Sequence, residues 1–387
     1  MIRSRSSAVL FLTALVLSVT AQEIRLEHHL EHFTSIRNPT AFNKEAWIDA
    51  RSYILDQFRS YGLNTTSQPF NTSVDDNGSD KTVRGENIIG IAEGSPGPII
   101  LVGADYDTSL LQSSPLEDNG AGVAAMLEIA RNYMSQMYHN KEYSITGTVL
   151  FVAFDINTKE YDDNSVGQPG SYHFLHQWLW PYLNNRVDNF MGAYILDSIS
   201  KYNLEENSQV LPGDFETNFP EAHEDIVRKG RKGDFLALVT RKSESNSLLA
   251  QTIYDNYNND RKARMFRLLE LTIKDGAEFG DSFDLFDHQA NYHFWTFQPG
   301  KEPKPLPAIL LSDTGYFRKP SDQCPSPCSA SAFLTRARNS FMTKTSEAMV
   351  QTLADILTDR SKHNSSTTTV ASWLSVVVLV LFNKIWC

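Results

Sequence analysis

Hydrophobic and polar residues alternate along the chain in two patterns. Short apolar runs that end in turn residues predict strands, whereas apolar residues three and four positions apart predict amphipathic helices. The predicted strands cover 86–92, 98–104, 147–155, 191–197, 235–239, 265–273 and 308–312, and the predicted helices cover 44–61, 121–137, 170–180 and 331–358. Strands that alternate with helices indicate an α/β fold, with a mostly parallel, mixed central sheet flanked by helices on both faces.

Aspartates end three of the predicted strands. Asp105, Asp155 and Asp197 each follow a continuous apolar run. Because catalytic groups in α/β sheets lie beyond the carboxyl ends of the strands, we expect the three carboxylates to point toward one edge of the sheet. Clustered carboxylates repel one another, so either a cation must lie nearby or a pKa must rise.

The first residues have the pattern of a secretory signal. Arg3 and Arg5 precede the apolar run Ala8–Val19, which is too short to span a bilayer. Small residues follow this run, so residues 1–21 are expected to be a signal peptide that is removed from the mature protein.

The last residues, 363–387, combine small residues, a short polar spacer and an apolar tail. This combination predicts a GPI-attachment signal, with the lipid anchor on Asn364 or Ser365. A short membrane span is the alternative. Residues 22–362 are then expected to form a single domain that is tethered to the outer leaflet at the extracellular face of the plasma membrane, or is secreted.

Charge and cysteine content limit the possible partners of the protein and indicate its compartment. The formal net charge of −11 argues against nucleic acid as a partner, which needs a basic face. Of the three cysteines, Cys324 and Cys328 lie outside the C-terminal signal. In an oxidising compartment we expect them to form one small disulfide loop. A zinc site would need more ligands nearby than this pair offers.

Three acceptor patterns for N-linked glycosylation lie close together. They begin at Asn64, Asn71 and Asn77. Each pattern alone is weak, but a cluster behind a signal peptide is more specific. Residues 62–82 are therefore expected to form an exposed, glycosylated segment.

Four motifs follow one another between residues 98 and 198. They are PIILVGADYDT, EDNGAG, VLFVAFDINT and GAYILDS. Their order and spacing resemble the co-catalytic zinc aminopeptidases, the family that includes bacterial leucyl aminopeptidases, glutamate carboxypeptidase and the glutaminyl cyclases. The resemblance implies the zinc aminopeptidase architecture and an active site at the carboxyl ends of the strands.

The resemblance also assigns the first metal position of the family. Asp105 stands where the family has a zinc-binding His, and Asp107 matches the Asp that orients this His. Asp118 matches the Asp that bridges the two metals, at the start of a helix where amide dipoles favour a carboxylate. Asp197 matches the metal-binding Asp of the fourth motif. This half of the site therefore keeps three carboxylates and no imidazole.

The general base and the second metal position are more strongly altered. In the third motif Asp155 is kept, but Asn157 replaces the Glu that activates water and Thr158 replaces a metal-binding Glu. Arg318 stands at the position of the last zinc-binding His. An amide cannot accept a proton at neutral pH, and a guanidinium cannot bind a cation. The resemblance thus implies that no catalytic residue remains.

Two interpretations of the cofactor stay open. In the first, no metal binds, and Arg318 neutralises Asp105, Asp118 and Asp197 through charge-assisted hydrogen bonds. In the second, these carboxylates bind a single hard cation, Ca²⁺, Mg²⁺ or Mn²⁺, because oxygen ligands without imidazole favour such ions. Functional zinc is not expected.

Two further patterns carry less weight. An acidic insert contains Glu160, Asp162 and Asp163, one of which could supply a replacement base, although a solvated acidic loop is the simpler interpretation. His28 and His32 enclose a His-x-x-Glu-His pattern typical of other metallopeptidases. We interpret it as coincidence, because no deep core is expected around it.

The leading functional hypothesis is an extracellular, membrane-tethered homologue of the zinc aminopeptidases that binds an unknown protein or peptide ligand without catalysis. One alternative is an active metallohydrolase that uses an altered, hard-cation site. The other is an adhesion or receptor module in which the fold presents loops and glycans.

Overall fold

The computed structural model describes residues 25–75, 80–110, 114–140, 143–157, 167–258, 265–274, 290–319, 324 and 328–358. Several predictions concern residues outside this part of the chain. They are the signal peptide, the GPI signal with Asn364 and Ser365, the acceptor Asn77, Thr158, and the acidic residues Glu160, Asp162 and Asp163.

The described strands form one mixed sheet in the order β1-β2-β4-β3-β5-β8-β6-β7. The central strands β4, β3, β5 and β8 are parallel, β1 and β2 are antiparallel additions at one edge, and β6 and β7 form a parallel pair that joins β8 in the antiparallel direction. Their bounds are β1 Asn64–Asp75, β2 Asp80–Glu93, β3 Ser95–Asp105, β4 Thr146–Phe154, β5 Phe190–Asp197, β6 Phe235–Arg241, β7 Arg267–Ile273 and β8 Ala308–Ser312.

Helices cover both faces of the sheet. The helices α2, α3, α8 and α11 share one apolar core with the sheet, and α7, α9 and the helical segment from α4 to α5 share the other. Their bounds are α1 25–31, α2 Glu45–Ser60, α3 Ala121–Asn132, α4 Gly170–His173, α5 Trp180–Leu183, α6 Phe215–Asn218, α7 Pro220–Arg228, α8 Glu244–Asn258, α9 Ala290–Trp295, α10 Ala330–Phe333 and α11 Arg336–Leu357. Wider helical turns at Tyr133–Tyr138 and Phe174–Leu179 extend α3 and join α4 to α5.

The continuous apolar runs of the central strands follow from burial on both faces. In β3, Ile99 and Leu101 pack into one core, whereas Ile100 and Val102 pack into the other. A strand that is covered on both sides has no solvent face that would require polar residues. The predicted α/β fold with helices on both faces of a mixed sheet is confirmed.

The segment 62–82 differs from its prediction. Instead of being exposed throughout, it contains the whole of the edge strand β1 and the start of β2. Gln68, Phe70 and Thr72 are buried on one side of β1. The prediction was wrong because the buried side carries polar residues, so the period of two was not visible as an apolar pattern.

Membrane insertion can be examined only for the described part of the chain. None of its helices combines the length and the apolar composition that crossing a membrane requires.

Candidate functional site

Three adjacent parallel strands bring the predicted aspartates to one edge of the sheet. In the register of β3 and β4, Asp105 lies opposite Phe154, so Asp155 is the next residue beyond that pair. In the register of β3 and β5, Ala104 lies opposite Leu196, which places Asp197 level with Asp105. The three carboxylates therefore emerge from neighbouring strand ends, as the apolar runs predicted.

Asn157, which the resemblance assigned to the position of the general base, is buried and links three segments. Its side-chain Nδ2 donates to Asp105 Oδ2 at 3.0 Å, and its backbone N–H donates to Asp107 Oδ1 at 3.0 Å. Its Oδ1 accepts a hydrogen bond from the Ser171 hydroxyl at the start of α4. Both ends of the amide are therefore engaged within the protein.

Asp107 is fully enclosed beside this amide. Burial raises the pKa of Asp107 well above its ordinary value, and the neighbouring carboxylates of Asp155, Asp105 and Asp118 raise it further. The backbone N–H of Asn157 acts in the opposite direction, because it stabilises the ionised form. In the family this position orients an imidazole; here it orients the Asn157 backbone.

Asp155 points toward β2 and α2. Its Oδ1 accepts from Trp47 Nε1 at 3.0 Å, and its Oδ2 accepts from the backbone N–H of Glu86 at 2.8 Å. Burial raises the pKa of Asp155 to about 6, although these hydrogen bonds oppose the shift. The carboxylate thus fixes the start of α2 against the sheet.

Asp197 lies at the end of β5 beside another buried aspartate, Asp313, which follows β8. Burial raises the pKa of Asp197 to about 7, with further contributions from Asp313 and Asp118, while the hydroxyls of Ser312 and Ser198 donate to it at 3.0 and 3.2 Å. Sequence reasoning missed Asp313. The signal was available, because Asp313 follows an apolar strand in the same way as the three predicted aspartates.

Arg318 does not make the predicted hydrogen bonds to the three carboxylates. Every hydrogen bond that the structure describes for its guanidinium goes elsewhere, from Nε to Gln209 Oε1 at 2.9 Å and from Nη1 to the carbonyls of Lys201 and Phe235 at 2.9 and 2.6 Å. The guanidinium also lies over the Phe235 ring, 4.4 Å from its centroid. Its charge acts on Asp313 at longer range. The prediction of direct neutralisation was wrong because a long side chain at the right position can extend toward other acceptors.

Arg37, which no sequence pattern indicated, supplies positive charge next to the bridging position. It is fully buried, and its positive charge interacts with the carboxylate of Asp118 and, more weakly, with that of Asp107. Its Nη2 donates to the carbonyl of Asp118 at 3.1 Å, and its Nε donates to the carbonyl of Tyr106 at 2.7 Å. Burial lowers the pKa of Arg37 to about 10, so it remains a cation at neutral pH.

Two more cations meet at Glu117, the residue before the bridging Asp118. Lys201 Nζ lies 3.3 Å from Glu117 Oε2 and donates to the carbonyl of Gly315 at 2.9 Å. Arg338 Nη2 lies 3.2 Å from Glu117 Oε1. Positive charge around the site is therefore distributed over several side chains of the protein.

The residues of the site do not fit the two-zinc centre of the family. Within the described ranges, no group of three or more His, Cys, Asp or Glu side chains is arranged so that it could hold a metal ion. Asp105, which the resemblance assigned to the position of a zinc-binding His, already accepts from the amide of Asn157 through its Oδ2. Arg318, which the resemblance assigned to the position of the last zinc-binding His, cannot act as a ligand.

The remaining predicted positions lie away from this cluster. Cys324 and Cys328 form the predicted disulfide, with their Cα atoms 5.4 Å apart. Asn64 and Asn71 are exposed on β1, where they lie opposite Ile91 and Arg84 of β2. Because they are an odd number of residues apart, their side chains project from opposite faces of the sheet. Their glycosylation stays a prediction.

The His-x-x-Glu-His segment lies at the end of α1, and the expectation that no core surrounds it was wrong. His29 is buried, and its Nδ1 lies 2.6 Å from the Tyr53 hydroxyl of α2. Its Nε2 lies 3.9 Å from the buried Glu128 of α3. The histidine therefore joins three helices.

Comparison with known proteins shows which family and which relative this chain resembles. Residues 87–229 match the profile of Peptidase family M28. The uncharacterized protein YfbL of Escherichia coli (strain K12) is 24% identical over 307 residues, which are 76% of this chain and 77% of YfbL.

Solved structures share the fold. The glutaminyl cyclase of Macrostomum lignano has a TM-score of 0.53 and 10% identity, covering 87% of this chain and 90% of that protein. The aminopeptidase from Aneurinibacillus sp. strain AM-1 has a TM-score of 0.51 and 11% identity, covering 85% of this chain and 93% of that one. The resemblance predicted from the four motifs is confirmed: this is a metallopeptidase-like protein with a Peptidase family M28 segment and the aminopeptidase fold.

Proposed function

We propose that this protein is a non-catalytic homologue of the zinc aminopeptidases that functions by binding another molecule. The observation that carries the proposal is the bonding of Asn157. Its amide donates to Asp105 and accepts from Ser171 at the position where the family has its general base. A general base must take a proton from water near neutral pH, and a carboxamide has no basic site for that proton.

The distribution of charge supports the same proposal. The charge of Arg37 stabilises the carboxylates of Asp118 and Asp107. Lys201 and Arg338 form ion pairs with Glu117. The charge of Arg318 stabilises the carboxylate of Asp313. Buried carboxylates need positive charge close by, and here the protein provides much of it from its own side chains. The need for divalent cations at this edge of the sheet is correspondingly smaller.

The proposed setting is the extracellular face of the plasma membrane, through a GPI anchor, or secretion. The Cys324–Cys328 disulfide is consistent with an oxidising compartment. The proposed partner is a protein or peptide.

A hard-cation hydrolase is the second candidate, and one observation favours it. Burial raises the pKa of Asp197 to about 7, and the nearby carboxylates of Asp313 and Asp118 contribute to this shift. Oxygen ligands that repel one another in this way suit Ca²⁺, Mg²⁺ or Mn²⁺ better than zinc.

An activity assay decides between the two candidates. The protein, purified after expression of the full chain, is assayed with aminoacyl-p-nitroanilides and with peptides that carry an N-terminal glutamine, each with added Zn²⁺, Mn²⁺, Mg²⁺ or Ca²⁺. We expect no turnover above that of an Asp118→Ala variant prepared in parallel. Metal-dependent turnover that Asp118→Ala abolishes would refute the proposal, and dependence on a hard cation alone would establish the second candidate.

A further inference from the structure

Strand β2 has a stretch along which only one side is paired. It pairs with β1 from Asp80 to Ile91, but it pairs with β4 only from Ile88 to Glu93. Among the described residues, no strand therefore lies on the β4 side of residues 80–87. An unpaired strand edge exposes backbone donors and acceptors that another chain can use.

The hydrogen bonds of Glu86 show which backbone groups face this opening. Its N–H donates to Asp155 Oδ2 at 2.8 Å and its carbonyl accepts from the Tyr106 hydroxyl at 2.9 Å, so both point away from β1. Pro69, which lies opposite Glu86 and has no N–H, fits this arrangement. Because the direction alternates along an antiparallel pair, the backbone groups of Arg84 and Thr82 also point toward the opening.

A basic groove runs along the same edge. Its cavity of about 470 Å³ lies between the beginning of α2 and this part of β2. The charged and aromatic residues that line it are Lys44, Trp47, Arg51, Lys81, Arg84 and Glu86. Arg51 pairs with Glu86 at 2.8 Å, whereas the exposed side chains of Lys44 and Arg84 form no ion pair with any residue of the described ranges. In a chain with a formal net charge of −11, this is a local reversal of sign.

We propose that this groove binds an extended acidic peptide, which adds as a strand along residues 82–84 of β2. Backbone hydrogen bonds to Thr82 and Arg84 would give affinity, and acidic side chains that contact Lys44 and Arg84 would give selectivity. A peptide fits better than a sulfated sugar because the open edge repeats its donors and acceptors every second residue, as a strand does. None of the metal-binding or general-base positions of the family lines the groove, so this site is separate from the carboxylate cluster and goes beyond the proposed function.

Two residues that line the groove also contact Asp155 of the third sequence motif. Trp47 and Glu86 both line the groove, and both donate hydrogen bonds to Asp155. A peptide in the groove would therefore lie against residues that hold the third motif in place, and its binding can be followed without any enzymatic activity.

The test uses the peptide acetyl-Val-Glu-Val-Glu-Val-Glu-amide and the protein purified after expression of the full chain. Glycans are trimmed first, because Asn71 lies opposite Arg84. We expect calorimetry to detect binding and amide hydrogen exchange at residues 82 and 84 to slow when the peptide is present. Arg84→Glu is expected to weaken binding by roughly tenfold or more, because it places like charges in contact. The matched control, Arg186→Glu at an exposed site on another surface, is expected to bind as the unmodified protein does.

Three results would overturn the proposal. The first is no binding, or equal binding by Arg84→Glu. The second is equal binding of a peptide that is N-methylated at alternate residues, because it keeps the charges but cannot pair as a strand. The third is tighter binding of a heparin-derived hexasaccharide with no slowing of exchange at residues 82 and 84, which would identify a polyanion site. If Arg84→Glu does not fold, Lys44→Glu on the opposite wall is measured in its place, with the same expectation.

Discussion

At the scale of single residues, Asn157 shows how the position assigned to the general base is built into the surrounding hydrogen bonds. Its side chain and backbone join Asp105 at the end of β3 and Asp107 just beyond it to Ser171 at the start of α4. A glutamate at this position could not donate to Asp105. With Asn157 in place, the two side chains share a hydrogen bond where a glutamate would put a second acid beside Asp105, and this stabilises the fold around the ends of β3 and β4.

Asn157→Asp tests this role of the amide. The variant loses the donor to Asp105 and adds a buried acid beside it, so we expect a loss of about 2–4 kcal/mol in the free energy of unfolding at pH 7.5. The pKa of the introduced acid would be raised in the folded state. The loss should therefore grow as pH rises above the ordinary carboxyl range and be smaller at pH 4.5. Urea denaturation at both pH values measures it.

The matched control is Asn189→Asp, at an exposed position, which should change the free energy of unfolding by less than about 0.5 kcal/mol. A variant at 157 that is as stable as the unmodified protein, or that hydrolyses aminoacyl substrates, would contradict this account of the amide.

Arg37→Lys tests the buried guanidinium near the bridging position. Lysine keeps the charge but cannot reach the carbonyls of Phe33, Tyr106 and Asp118 at once, which Arg37 does through three nitrogens. We expect the free energy of unfolding to fall by about 3–5 kcal/mol, because buried carbonyls and a buried charge lose partners. Arg59→Lys on the exposed side of α2 is the control. Equal urea midpoints for the two variants would show that charge alone, without the geometry of the guanidinium, is sufficient.

At the scale of elements, α1 depends on a histidine. His29 contacts Tyr53 of α2 and faces Glu128 of α3, with His28 and Arg131 also close. Burial lowers the pKa of His29, although Glu128 acts in the opposite direction. A histidine whose folded pKa is lowered stabilises the fold above its unfolded pKa, and this contribution is lost as pH falls.

His29→Gln should therefore change the pH dependence of stability. At pH 7.5 the variant is expected to lose about 1–2 kcal/mol with the hydrogen bond to Tyr53. At pH 5.5 the difference from the unmodified protein should be smaller. Burial alone would raise the pKa of Glu128, but the hydrogen bonds from Arg131 and the nearby ring of His29 lower it to about 2, so Glu128 stays ionised over this range. Urea denaturation measures the free energy of unfolding at both pH values. An equal loss in the variant at pH 7.5 and at pH 5.5 would contradict the role of His29.

The sequence predicted those elements in which the pattern of apolar residues follows directly from burial. β3, β4 and β5 are covered on both faces and appear as continuous apolar runs, so their ends and their terminal aspartates could be located. β1 could not, because Gln68 and Thr72 are buried polar residues and its conformation depends on pairing with β2. In α8, by contrast, Leu249, Ile253 and Tyr257 are four residues apart on a buried face, so its signal was present although it was not predicted.

At the scale of the whole molecule, the ends of the strands and their aspartates were easier to predict than the arginines that neutralise buried negative charge. The topology determines where a strand ends, so short aspartates such as Asp105 and Asp197 lie where the pattern places them. Arg318 has a long side chain, and its direction depends on acceptors from distant segments. Arg37 carries no local pattern at all, because its partners Tyr106 and Asp118 lie far away in sequence. Such compensation arises only when the chain is folded.

We propose that side chains of the protein, and not a pair of zinc ions, provide the cationic charge at the carboxylate edge. Elemental analysis of the native protein, purified without chelators after expression of the full chain, measures this directly. We expect far less than one zinc ion per chain, also after dialysis against zinc and removal of excess metal. Two zinc ions per chain, lost on mutation of Asp118 to Ala, would contradict it.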